Sequence, residues 1–228
     1  MDYSVINKRA AGAAAVDYIV SGMTVGLGSG STVDYMLDKL AEKVKEGLKV
    51  QGVPTSKKTE KLAKHLGIPI VDFATITKVD LAIDGADEVD PSFHLIKGGG
   101  GSLVREKIVD ANAQQLIIII DETKKVPQLG TYPLPIEIVP FGWQKTAEAI
   151  AAFGVEPKLR KLSEQDVFVS DNGNYILDCP FKLIEDPHSL HQQLKQLVGV
   201  IETGLFTSMA DIVIAGEEGK VEKLTKEK

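Results

Sequence analysis

The chain has 228 residues, which at about 150 residues per domain allows one large domain, or a large one with a small companion. Apolar residues make up 43% and charged residues 25%, ordinary globular usage, so a buried core is expected and a disordered tail is excluded. The 26 Lys and Arg against 32 Asp and Glu give a net charge of -6 and a pI near 5.3, without the basic excess of a nucleic-acid or membrane-surface binder.

Helical spacing of Ile6, Ala10, Ala13 and Ala14 predicts a first helix over 5–20, stopped by Ser21 and Gly22. Its alanine-rich part lacks the strongly apolar centre of a secretory signal. A short buried strand, 23–27, leads through Gly28-Ser29-Gly30-Ser31-Thr32 into a second helix with Val33, Met36, Leu37, Leu40 and Val44 on one face. A strand at 50–53, a helix from Ser56 to a Gly67 cap, and strands at 68–73 and 79–83 follow. After a polar loop come a strand at 93–96, the glycine run 98–101 and a helix over 102–113. Leu116 to Ile120 is Ile-rich without alternation, the pattern of a central parallel strand covered on both faces, and is far below the roughly 20 residues of a membrane span.

Pro127, Pro133, Pro135 and Pro140 mark a change of rhythm and a domain boundary. Beyond it, a strand at 135–139, a helix at 146–153 closed by Gly154, a hairpin of 167–169 with 175–177 across Asp171-Asn172-Gly173-Asn174, and a helix capped by Asp186 with Pro187 at its first position are expected. Strand-like 201–206 and 212–214 are expected to return to the first sheet. The fold class is therefore α/β, a Rossmann-like parallel sheet flanked by helices (1–126 plus 203–228), with a smaller α+β (ferredoxin-like) domain at 127–202. Cys179 is the only cysteine, which excludes an intrachain disulfide and fits a reducing, cytoplasmic setting.

Four segments carry chemistry. Gly26 to Thr32 joins a strand to a helix N-terminus with three glycines and three hydroxyls, a seat for an anion such as phosphate; the bland alternative is a tight connection. It lacks the Walker lysine, and Ser31 stands where the third glycine of a dinucleotide fingerprint would fall. Asp84 to Asp90 puts four acids in seven residues beyond a strand end, where open α/β sheets bind ligands. A solvated turn or a divalent-cation loop are its alternatives; carboxylates holding sugar hydroxyls are preferred. Lys97-Gly98-Gly99-Gly100-Gly101 sets one cation beside backbone N–H groups open to close approach, an oxyanion pocket rather than a flexible linker. On the helix that follows, Glu106 shares a face with Leu103 and Asp110, opposite Val104, Ile108 and Ala111, and a partly buried carboxylate there suits a general base. Asp121 and Lys124 bring an acid and a base to the same sheet edge. His188 and His191 are i, i+3 without a third metal ligand and read as a solvated face, and no Gly-x-Ser-x-Gly elbow supports a hydrolase.

At GLGSGST (26–32), DGADEVD (84–90), LIKGGGGSLVREKIV (95–109) and DETK (121–124) the sequence resembles ribose-5-phosphate isomerase type A, and the likeness continues through PLPIEIVPFG to the C-terminal strands. The resemblance implies interconversion of D-ribose 5-phosphate and D-ribulose 5-phosphate in the non-oxidative pentose phosphate pathway, without metal or organic cofactor, by a homodimer or homotetramer. It places the catalytic base on Glu106 and further catalytic groups on Lys97, Asp84 and Asp87. Substrate contacts fall on Ser29, Gly30, Ser31, Thr32, Asp84, Gly85, Ala86, Asp87, Lys97, Gly98, Gly99, Gly100, Asp121 and Lys124, and Lys8 falls where the family has a basic residue near the phosphate. Ser29 departs from the family's frequent threonine but keeps the hydroxyl. A sugar-phosphate-sensing regulatory domain and a coenzyme A transferase-like enzyme are the competing readings; no nucleic acid or membrane partner is expected.

Overall fold

Residues 3–226 are described by the structure, a computed structural model. In chain order the elements are α1 (Tyr3–Val16), β1 (Thr24–Leu27), α2 (Ser31–Lys45), β2 (Gln51–Pro54), α3 (Lys57–Leu66), β3 (Leu81–Gly85), β4 (Glu88–Val89), β5 (Leu95–Ile96), α4 (Leu103–Ala111) and β6 (Leu116–Asp121). They continue with β7 (Leu134–Ile138), α5 (Trp143–Ala151), β8 (Lys158–Leu159), β9 (Tyr175–Cys179), α6 (Pro187–Lys195), β10 (Val200–Thr203), β11 (Leu205–Phe206), β12 (Ile212–Glu217) and β13 (Lys220–Thr225). The chain folds into two compact units, 1–86 with 105–125 and 209–228, and 87–104 with 126–208. The sequence pattern alone assigns 87–104 to the first.

The first unit is built on a six-stranded sheet ordered β13-β12-β6-β3-β1-β2, parallel except for β13 at one edge. Side-chain alternation splits its strands cleanly. Val25, Leu27, Leu81, Ile83, Ile117, Ile119, Ile212 and Ile214 form one core with apolar residues of α1, α2 and α3. Ala82, Ile118, Ile120 and Val213 are buried on the opposite face, where Val109 of α4 sits so close to Gly26 that a Cβ there would lie 2.7 Å from it. All six residues of β6 are buried, as its unalternating pattern predicts. Gly67 ends α3 in the left-handed region, φ 81°, and Ser56 caps its start by accepting from Thr59 N–H.

The second unit has an antiparallel sheet, β10-β7-β9-β8, whose Leu134, Ile136, Ile138, Leu177 and Cys179 pack with Ile150 of α5 and Leu194 of α6. Asp186 caps α6 onto Ser189 N–H, with Pro187 at its first position. A smaller sheet, β11-β5-β4, carries the segment leading to the glycine run.

Three expected strands take other forms. The 68–73 segment contributes only an isolated bridge from Ile70 to Gly52, because Pro69 lacks a ladder N–H and Asp72 turns the chain by accepting from Ala74 N–H. Residues 167–169 do not pair with β9, whose two edges are taken by β7 and β8; Val167 bridges Lys161 instead. The Asp171–Asn174 turn still forms, closed by Ser170 N–H to Asn174 O. Residues 201–206 stay in the second unit, pairing with β7 and β5, and only 212–217 returns to the first sheet. The first helix ends at Val16, four residues before the expected stop.

Candidate functional site

In the first unit the parallel strands run β2-β1-β3-β6-β12, so the strand order reverses between β1 and β3, the place where open α/β sheets bind ligands. Gly28 follows β1 and donates to Ile83 O at 3.0 Å. A Cβ on Gly28 would lie 2.1 Å from Asp84 Oδ1 and 2.6 Å from its Cα, so only glycine lets the two strand ends come this close. Asp84 is fully buried, and its Oδ1 accepts from Ser29 N–H (2.9 Å) and Gly85 N–H (2.7 Å), which fixes the carboxylate at the mouth of the sheet. Gly30 is the N-cap of α2 at φ 120° with no side-chain cap, leaving the first-turn amides of Ser31 and Thr32 for an anion.

Ser29 Oγ turns into a hydroxyl cluster, 2.8 Å from Thr55 Oγ1, 2.9 Å from Ser56 Oγ and 3.1 Å from Thr59 Oγ1. These three partners escape sequence reasoning, in which Ser56 figures only as the start of a helix. Asn7 of α1 donates to Glu122 Oε1 at 3.4 Å, and Gly12 packs with its Cα side on Met36 N and Thr32 O. The helix carrying Lys8 therefore runs from the turn bearing Lys124 to the first turn of α2. Asp121, 5% exposed, caps that turn by accepting from Thr123 N–H and Oγ1.

Glu106 lies in the first turn of α4 and is 3% exposed, beside Leu103 and Asp110, which are also buried. The other stripe is not a buried one: Ile108 is 47% exposed and Ala111 is exposed.

The second unit carries Asp87, Lys97 and the glycine run. Asp87 Oδ2 accepts from Gly99 N–H at 2.8 Å, and a Cβ on Gly99 would meet Tyr132 Oη at 2.5 Å. Burial, then the charge of Asp87, pushes the Tyr132 hydroxyl's pKa up, so it stays a donor. Lys97 is 2% exposed, its N–H donates to Gly204 O, and its Nζ lies 5.2 Å from the centre of the Phe206 ring. Gly98 (φ 101°) and Gly101 (φ 83°) adopt the left-handed turn that the run requires, closed by Gly101 N–H to Gly98 O.

The dense acidic segment therefore has two functions. Asp84 and Asp87 face backbone amides of the glycine turns. Glu88 instead holds Gly130 and Tyr132 N–H, and Asp90 closes a turn onto Ser92 and His94. His191 is hydrogen-bonded to Thr203 and His188 contacts Thr207 and Gln192. Tyr132, Phe206 and the pair Arg160 and Asp178, which reaches Gly98 and Gly99, were not legible, since each is brought in by tertiary contacts alone.

A strand-order reversal beside an open helix N-terminus, with the buried Asp84 carboxylate at the strand end, has the form of an α/β enzyme site. The family model of ribose 5-phosphate isomerase A (phosphoriboisomerase A) matches residues 51–220. Ribose-5-phosphate isomerase A 2 of Oceanobacillus iheyensis is 52% identical over 227 residues, 99% of this chain and 100% of the relative. A solved D-ribose-5-phosphate isomerase in complex with phospho-erythronic acid superposes with a TM-score of 0.93 at 40% identity, covering 96% of this chain and 97% of that one. The Plasmodium falciparum ribose 5-phosphate isomerase matches equally, TM-score 0.93 and 40% identity, over 97% and 98%. The chain belongs to the ribose 5-phosphate isomerase A family, aldose-ketose isomerases that interconvert ribose 5-phosphate and ribulose 5-phosphate in the pentose phosphate pathway. That sets aside the regulatory-domain and coenzyme A transferase readings.

Proposed function

We propose that this chain isomerises ribose 5-phosphate through an enediolate with Glu106 as the base. Glu106 takes the proton from C2 of the open-chain aldose and returns it to C1, while O1 gains a proton and O2 loses one. The observation that carries the reading is the burial of this single carboxylate in the first turn of α4, five residues after the glycine turn. A desolvated carboxyl is a stronger base toward a carbon acid than one in water. Lys97 and the N–H groups of Gly98 and Gly100 stabilise the oxyanion, while Gly99 N–H is held by Asp87. Asp84 and Asp87 hold substrate hydroxyls and assist opening of the furanose ring. The α2 N-terminus, with Ser29 to Thr32 and Lys8, holds the phosphate end and supplies orientation from a group remote from the reacting carbons, and Gly85, Ala86, Asp121 and Lys124 are further substrate contacts.

The test is conversion of ribose 5-phosphate to the ketose by purified protein with EDTA present; loss of turnover on chelation overturns the metal-free mechanism. The solved relative binds phospho-erythronic acid, a phosphate-bearing acid whose carboxylate imitates the enediolate. Competitive inhibition by this acid is expected here, and its absence argues against the enediolate.

A cytoplasmic homodimer or homotetramer is part of the proposal. Cys179, the only cysteine of the sequence, has no partner for an internal disulfide, as suits a reducing compartment, and it is buried. Phe141 and Val198 are 93% and 95% exposed on neighbouring turns of the second unit, linked by Val139 N–H to Gly199 O, and give an apolar patch for self-association.

A further inference from the structure

Arg160 stands outside every motif, yet it grips the backbone on which the oxyanion donors sit. Its Nε donates to Asp178 Oδ2 at 2.9 Å and its Nη2 to Asp178 Oδ1, a two-pronged pair that fixes the plane of the guanidinium. From that plane Nη1 donates to both Gly98 O (2.9 Å) and Gly99 O (3.0 Å). Phe168 lies against the group, 5.8 Å from ring centre to Cζ, and fills the space beside Gly101, where a Cβ would come 2.2 Å from the ring. The Arg160 side chain is 13% exposed.

In a trans peptide the carbonyl and the N–H point in opposite directions. Holding Gly98 O therefore turns Gly99 N–H away from the guanidinium, and it is found on Asp87 Oδ2 at 2.8 Å. Holding Gly99 O turns Gly100 N–H away in the same manner, at a residue that is exposed. Three successive glycines have little intrinsic preference for either orientation of these two planes, so an external clamp is needed to fix them. The cation also polarises both carbonyls and makes the N–H on the far side of each peptide a better donor.

We propose that Arg160, locked by Asp178, is a positioning residue for the isomerisation: it sets the Gly98–Gly100 peptide planes so that Gly100 N–H faces the enediolate oxygen. This rests on the reading of Lys97, Gly98 and Gly100 as the oxyanion donors.

Arg160→Ala, Arg160→Gln and Arg160→Lys are compared with the wild type for kcat, for inhibition by phospho-erythronic acid and for the Kd of inorganic phosphate. Arg160→Ala is expected to lower kcat by about 10- to 100-fold, short of the roughly 10²- to 10³-fold for outright loss of one oxyanion donor because the donor is misaligned rather than removed, and to weaken phospho-erythronic acid by a similar factor. Phosphate Kd stays within about twofold, because its seat is built on the other unit. Arg160→Lys regains only part of the rate, since one ammonium cannot serve Asp178 and two carbonyls as a planar fork does. Unchanged kcat in Arg160→Ala, or phosphate affinity falling in step with kcat, overturns the proposal. Should the alanine variant not fold, Arg160→Gln is judged by the same two criteria. Lys97→Ala measured alongside keeps the two readings apart: if it retains the wild-type kcat, the oxyanion assignment fails whatever Arg160 does.

Discussion

Glu106 and Lys97 are nearly inaccessible, at 3% and 2% exposure, and charged groups buried this deeply are costly to stability unless they are paired and hydrogen-bonded. Glu106→Gln keeps the shape and removes the base; kcat is expected to fall by roughly 10² to 10⁴, with inorganic phosphate still bound as measured by calorimetry. Near-native turnover would remove Glu106 from the role. Lys97→Ala is expected to lose at least about 10²-fold in kcat, the size typical of an oxyanion donor. An effect confined to KM would make Lys97 a binding residue instead. Both residues were legible in the sequence, since a lone lysine before a glycine run and a glutamate sharing a helix face with Leu103 are local patterns. Arg160 was not, because its only signals, Asp178 and the two glycine carbonyls, lie 18 or more residues away along the chain.

Among the elements, α3 shows how one residue serves both stability and the site. Ser56 Oγ accepts from Thr59 N–H at 3.0 Å and from Ser29 Oγ at 2.9 Å. Ser56→Ala is expected to cost about 1 kcal/mol of stability in urea unfolding, the usual worth of an N-cap, and a loss below a few tenths would mean the cap is dispensable. At the start of β1, Asp80 accepts from Thr24 N–H at 2.9 Å and pairs with Lys78. The Lys78 hydrogen bond, then the Thr24 amide, lowers the pKa of Asp80. A depressed carboxylate stabilises the fold above its unfolded pKa, about 3.9, and that contribution disappears as pH falls through the folded value. Asp80→Asn should therefore be less stable than the wild type at pH 7, with the gap closing below about pH 4. A gap that persists in acid would assign the loss to shape rather than charge.

For the whole molecule, Phe141 and Val198 are the test of self-association. Phe141→Asp combined with Val198→Asp is expected to lower the mass seen by sedimentation while each chain retains its circular dichroism spectrum. An unchanged mass would place the interface elsewhere. No described helix is long and apolar enough to cross a membrane. The division of the chain is a property at this scale too. Residues 87–104 are joined to the first unit by sequence and to the second by strand pairing, because β4 and β5 pair with each other and β5 with β11.

Sequence by itself determined what rests on neighbours along the chain: the helical faces, the buried Ile run of β6, the caps at Gly67 and Asp186, and the glycine turns and carboxylates of the site. Each is set by local sterics, periodicity or the reach of one side chain to its own backbone. Tertiary structure alone decided which strands were left an open edge, so that 167–169 lost its place beside β9 and 201–206 joined β7 and β5. It also separated Asp84 and Asp87 from Glu88 and Asp90, and brought Tyr132, Arg160 and Thr59 to glycine turns far away in sequence. Those outcomes depend on competition for hydrogen-bonding edges and on packing between distant segments, quantities that no stretch of sequence carries alone.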